Sequence, residues 1–164
     1  MNNKAKGLVT GALIAALYAA LTYLSAALGL AYGAVQFRLS EVLCILPIFT
    51  PYATVGLTVG CIISNIGSSL GPVDMLFGTA ATLLGAVLMR AFRKTLPYPV
   101  LFLFPVLSNA LIVGAELAIF LGEVGFFAAA AGVLIGEAVV IFAGGIPLYK
   151  FLSKNNILKH KNNT

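Results

Sequence analysis

Leu8–Leu30 reads LVTGALIAALYAALTYLSAALGL, an uncharged run of 23 residues. A helix needs ~20 mostly apolar residues to cross a hydrocarbon core, so this run reads as a membrane span. Within it Gly11, Ala12, Ala15, Ala16, Ala19 and Ala20 recur at spacings of three and four. Such a stripe of small side chains lets another helix approach closely. Internal packing accounts for one side of the stripe. Its breadth predicts that part of it serves a partner protein, with Ala12, Ala15, Ala16, Ala19 and Ala20 as the docking candidates.

The rest of the chain is of the same kind. Its 164 residues are 60% hydrophobic and only 9% charged, with a mean hydropathy of +1.03. Soluble domains average about 25% charged residues, so the composition is that of an integral membrane protein. Further spans are expected at Val35–Tyr52, Ala53–Ser69, Asp74–Phe92, Val100–Leu121 and Phe126–Leu152. In the second the apolar part, Leu39–Thr50, is only about half a span, so that helix is expected to be tilted and kinked near Pro47. Met1–Gly7 leads directly into the first span, which is expected to act as its own uncleaved targeting signal. The length suits one compact all-α bundle, a single membrane domain with no room for a soluble catalytic unit.

Of the ten basic residues, nine lie toward the two ends of the chain or at the end of the fourth span and the loop after it. They are Lys4, Lys6, Arg90, Arg93, Lys94, Lys150, Lys154, Lys159 and Lys161. This is the positive-inside pattern, with no basic stripe interleaved with aromatics that would suggest nucleic acid. Six crossings keep both termini and the Arg90–Lys94 cluster cytoplasmic, whereas five would put one cluster outside. Arg38, Glu41, Asp74 and Glu123 then lie toward the outer face. Cys44 and Cys61 lack metal or redox spacing and read as small hydrophobes.

Ionisable groups at membrane depth cost roughly 2.5–3.5 kcal/mol each, so they face a partner, a cavity or a ligand. Glu116 and Glu137 sit inside long apolar runs of a chain with five acidic residues. Asn109, seven residues before Glu116, falls on nearly the same helical face, which favours a ligand site over a structural hydrogen bond. Glu137 reads either as a protonated acid bonded across helices or as a charged group facing a donor-rich ligand. Arg38 and Glu41, at i and i+3, read equally as an interfacial ion pair or as a clamp at the outer mouth, with Gln36 and Ser40 beside them. Asn65 and Ser68 either cap the third helix or line the pocket. Asp74 is most simply an N-cap whose turn faces the same vestibule. Glu123 and His160 read as solvated.

The chain has no phosphate-binding G-x-x-x-x-G-K-[ST] loop, no H-E-x-x-H and no G-x-S-x-G. What remains is a solute-binding membrane subunit whose energy comes from elsewhere, and not an enzyme.

Several stretches carry a resemblance. They are Tyr32-Gly33-Ala34-Val35-Gln36-Phe37-Arg38-Leu39-Ser40-Glu41, then Leu46-Pro47, Gly71-Pro72-Val73-Asp74 with Phe77-Gly78, Asn109-Ala110-Leu111-Ile112-Val113-Gly114-Ala115-Glu116-Leu117, and Gly136-Glu137. In this order they resemble the QueT family of queuosine-precursor transporters, substrate-binding S components of energy-coupling factor (ECF) transporters. The resemblance implies the six-helix S-component fold, a transmembrane T component and two ATPase subunits as partners, and delivery by toppling of the loaded subunit. It implies no cofactor in this chain, since ATP is used by the partners, and a location in the cell membrane of a Gram-positive bacterium. An A-x-x-x-A docking motif is expected on the first helix, and Ala12/Ala16, Ala15/Ala19 and Ala16/Ala20 fit it. Ala31–Phe37 and Gly67–Val73 would be lids over an outward-facing site.

The implied ligand is a 7-deazaguanine, namely preQ1, preQ0 or queuine. Its ring N–H and exocyclic amine suit a carboxylate in bidentate fashion, and an attached amine suits a second. Glu116 and Glu137 are therefore expected to take the ligand's donors, Asn109 to read a carbonyl or ring N–H, and Phe37 or another aromatic to stack on the base. Arg38 and Glu41 would lie nearer the lid, and Gln36, Asn65 and Asp74 complete the expected site. Competing readings are an S component for another vitamin-like solute such as a pterin or thiazole, a small intramembrane enzyme using the paired glutamates, and a purely structural subunit.

Overall fold

A computed structural model describes residues 2–32, 35–122 and 125–155. Glu123, Lys159, His160 and Lys161 lie outside the described residues, as do Gly33 and Ala34 of the first expected lid. Among the described residues every regular element is helical. Helix α1 runs Asn3–Ala27, a 3₁₀ segment Leu39–Ile48, α2 Tyr52–Asn65 and α3 Pro72–Phe92. A short turn, α4 (Tyr98–Leu101), leads through Phe102 into α5 (Leu103–Phe120), and α6 spans Phe126–Asn155. Among the described residues, four stretches are long and apolar enough to cross a membrane: Lys4–Ala27, Pro72–Phe92, Tyr98–Phe120 and Phe126–Asn155.

The expected second span is not a long α-helix. A ten-residue 3₁₀ segment replaces it, ending in a turn at Phe49 to Pro51. Runs of this length are uncommon because 3₁₀ hydrogen bonds are poorer, so outside contacts must hold the segment. Three polar rungs from successive turns of α1 supply them. Ser25 Oγ accepts the Leu39 N–H at 2.9 Å, Thr22 Oγ1 donates to Ser40 Oγ at 2.7 Å, and Tyr18 Oη donates to Glu41 Oε1. At the other end Arg90 Nη1 donates to the Pro47 carbonyl at 3.1 Å. A 3₁₀ rise near 2.0 Å carries ten residues about 20 Å, against about 15 Å for an α-helix.

Helices α1, α2, α3, α5 and α6 form an arc in which each packs on the next. The 3₁₀ segment fills the middle and touches α1, α2, α3 and α6, so the ends of the arc meet through it. Close approach sets the α1–α2 contact. A Cβ on Gly56 would lie 2.5 Å from the Gly11 carbonyl oxygen, and one on Gly60 2.8 Å from that of Ala15. Only glycine lets the two backbones touch there. The pairs 11/56 and 15/60 also make these two helices parallel. Phe77 with Phe120 and Phe92 with Phe104 make α3 and α5 antiparallel.

Passes therefore alternate along the bundle axis. They gather Lys4, Lys6, Arg90, Arg93, Lys94, Lys150 and Lys154 at one end. An apolar layer of Ile45, Met89, Leu101, Phe102, Val106 and Ile141 fills that end, and Ala81, Val113, Leu117, Ala129 and Val133 pack toward the other. Leucine, valine and isoleucine side chains cover the outside, as a lipid-facing surface requires.

Candidate functional site

Near the end opposite the basic cluster, loops and helix termini enclose a set of buried polar side chains. Asn65 closes α2, Asp74 lies in the first turn of α3, Glu116 in the last turns of α5, and Asn109 two turns deeper. Glu137 comes from the middle of α6, and Gln36 and Arg38 from the strand-like approach to the 3₁₀ segment. All seven are at most 5% exposed.

The chain folds this way locally for identifiable reasons. Gly71, at φ +47°, turns the backbone, and Pro72 opens α3 at the position where a missing N–H costs nothing. Asp74 is therefore not the N-cap, a correction to the sequence reading. Its Oδ2 accepts from Ser68 Oγ, and its backbone carbonyl accepts from Asn65 Nδ2 at 3.0 Å. Gln36 is held because α6 has glycine at 136, where a Cβ would meet the Gln36 carbonyl oxygen at 1.9 Å. Tyr23 Oη and Tyr32 Oη donate to the carbonyls of Ile63 and Ser64, which the chain beyond α2 otherwise reaches only through long 3.4 Å backbone bonds.

Arg38 and Glu41 do not form an i, i+3 ion pair, one of the two readings of their spacing. Arg38 is the cap residue before the 3₁₀ segment, so its side chain leaves the segment's face. Arg38 Nε donates to the Ala31 carbonyl at 3.0 Å, and the guanidinium carbon lies 5.3 Å from the Tyr32 ring centre. Glu41 is taken by Tyr18 and by Cys44, whose Sγ donates to Oε2 at 2.9 Å. Burial pushes the Tyr32 phenol up and the Arg38 charge pulls it back, so Tyr32 stays a neutral donor. Arg38 remains within Coulombic range of Glu41, Asp74, Glu116 and Glu137.

Glu116 and Glu137 are different. Neither Glu116 oxygen has a hydrogen-bond partner, nor has Glu137 Oε2, Asn109 Nδ2, Asn65 Oδ1 or Thr79 Oγ1. Asp74 is close enough to interact with Glu116, and Asn109 with Glu137, yet neither pair satisfies these atoms. A buried polar atom without a partner costs about 1–3 kcal/mol, more for a charged group, so six together are expensive unless something else binds them. Acceptors dominate: three carboxylate oxygens, one amide oxygen and a hydroxyl against one amide N–H. The cluster's unfilled hydrogen-bonding capacity is therefore mainly that of an acceptor.

Other expected residues lie elsewhere. Phe37 lines an apolar groove of about 410 Å³ between the 3₁₀ segment and α6, with Leu39, Val42 and Val139, and not the polar cluster. The alanine stripe of α1 divides. Ala15 and Ala19 are buried, Ala15 against α2, while Ala12, Ala16 and Ala20 are exposed in a single row. Tyr18 and Thr79 carried no signal in the sequence, since tyrosine and threonine within apolar runs read as packing.

A family profile described as QueT transporter matches residues 8–154. The chain is also 36% identical over 96 residues to the queuosine precursor transporter QueT of Lactococcus lactis subsp. cremoris strain MG1363. That alignment takes in 56% of this chain and 56% of the relative, so it spans a little over half of the curated protein. No solved structure matches. With the profile running from the first helix to the end of the last, the chain belongs to the QueT transporter family.

Proposed function

We propose that this protein is the substrate-binding S component of an ECF-type importer and that it captures a queuosine precursor of the 7-deazaguanine class. The observation that carries this reading is the set of six unpartnered buried atoms on α2, α3, α5 and α6. A deazaguanine offers ring N–H groups and an exocyclic amine to carboxylates, and one carbonyl to an amide N–H. That matches an acceptor-rich cluster containing one free amide donor. The name of the Lactococcus relative supports the same ligand class.

In this reading the chain crosses a bacterial cell membrane six times with both termini cytoplasmic. The basic end of the bundle faces inward, as positive residues do, and the polar cluster opens outward. The loops around Gln36 and Gly71 cover the ligand. A T component docks on the exposed Ala12, Ala16 and Ala20 row, and two ATPase subunits drive the toppling that delivers the solute.

Calorimetry on the detergent-solubilised protein with preQ1, preQ0, queuine and guanine tests this. Tight binding of a deazaguanine, with guanine weaker, is expected. Glu137→Gln should weaken that binding by about tenfold or more, the range for losing a charge-assisted hydrogen bond. Silence from all four on folded protein would sink the assignment.

A further inference from the structure

The parallel helices α1 and α2 both begin at the basic end of the bundle, far from the polar cluster. Between them runs a groove of about 400 Å³. Gly7, Gly11 and Gly56 form its floor, and Leu8, Val55 and Val59 its exposed walls. The missing side chains of the floor set it back from the walls. Its lining is apolar apart from the Tyr52 phenol, and from Gly7 to Ala15 it runs ~12 Å at 1.5 Å per residue. An extended hydrocarbon chain has that shape.

Charge at the mouth selects which chain fits. Lys4 precedes Leu8 by four residues, so it stands on the same face of α1, at the groove's end. Both helices turn the positive ends of their dipoles there, and neither has an acidic residue in its first turn. The start of α2 also has no side-chain cap. The Tyr52 ring packs against Gly7 at this level, where aromatic side chains meet headgroups. An anionic headgroup is attracted by Lys4 and two helix ends, whereas a zwitterionic one brings its own cation against them. A parallel second copy in the groove would set two Lys4 side chains together, which repulsion disfavours.

We propose that this groove binds an anionic phospholipid, with an acyl chain between α1 and α2 and the headgroup at Lys4. Ala12 is common to the groove and to the exposed row of α1, so the lipid covers part of the face proposed for the T component.

The chain has no tryptophan, so Leu8→Trp places a single fluorophore on the groove wall. The full-length protein is reconstituted in mixed phosphatidylglycerol and phosphatidylcholine vesicles, with bromine on the chains of one lipid or the other. Quenching then gives the relative affinity of the two lipids. Phosphatidylglycerol should be favoured about fivefold, the scale of one lysine at an anionic surface. Leu111→Trp, exposed midway along α5, should show no preference. Lys4→Gln in the Leu8→Trp protein should remove most of the preference. Val55→Phe, which narrows the groove and leaves the charge, should do the same. All four positions are exposed, and an unchanged melting temperature reports that each variant is folded. No preference at Leu8→Trp, an equal preference at Leu111→Trp, or one that survives Lys4→Gln overturns the site. A preference lost in Lys4→Gln but kept in Val55→Phe overturns the groove, because surface charge alone then gathers the lipid.

Discussion

Glu41 is 1% exposed, and its two oxygens are held by Tyr18 Oη and Cys44 Sγ. The phenol is the stronger donor, because a thiol hydrogen-bonds weakly. Tyr18→Phe removes one hydroxyl and leaves a buried carboxyl short of a donor, which should lower stability by about 1–3 kcal/mol. Thermal unfolding in detergent checks it, and an unchanged Tm would mean that Glu41 does not depend on Tyr18. This contact was illegible from the chain alone, since its partners are 23 residues apart and a tyrosine amid alanines reads as packing. The isolated glutamates Glu116 and Glu137 were legible for the opposite reason, because a carboxyl in an apolar run has no bland explanation at low cost. Asp74 was misread as a cap because Pro72 starts α3 two residues earlier.

Elements separate by how much sequence specifies them. Helices α1, α3 and α6 begin and end within a few residues of the expected spans, because long apolar runs bounded by charge, proline or glycine leave one reading. The 3₁₀ segment had no such signature. A ten-residue apolar run with Pro47 fits either helix type, and what decides it is the polar face of α1 beside it. The α1–α2 contact can be tested from both sides. Gly56→Ala puts a methyl 2.5 Å from the Gly11 carbonyl and should cost about 1–3 kcal/mol through overpacking. Ala16→Leu, on the exposed row, should keep the melting temperature and yet abolish co-purification with the proposed T component. Retained co-purification would remove that row from the docking face.

For the molecule as a whole, the alternation of passes and the gathering of basic residues make a topology that labelling can decide. Cys44 and Cys61 are buried and free, so added cysteines report cleanly. Ser69→Cys, in the exposed turn before α3, should react with an impermeant maleimide in intact cells. Thr95→Cys, exposed beside Lys94, should react only after permeabilisation. The reverse pattern would invert the proposed orientation. The bundle is also uneven in height. Helix α2 has 14 residues and turns Val55, Val59, Ile62 and Ile63 outward. That is a hydrophobic wall of about 21 Å at 1.5 Å per residue. It stands next to α1, which has 25 residues. A hydrocarbon core near 30 Å does not match the shorter wall, so lipid must thin there or the protein must lean. In the proposed toppling, one shallow flank would give the bilayer a lever on the subunit, so that membrane thickness biases tipping before any ligand or nucleotide binds.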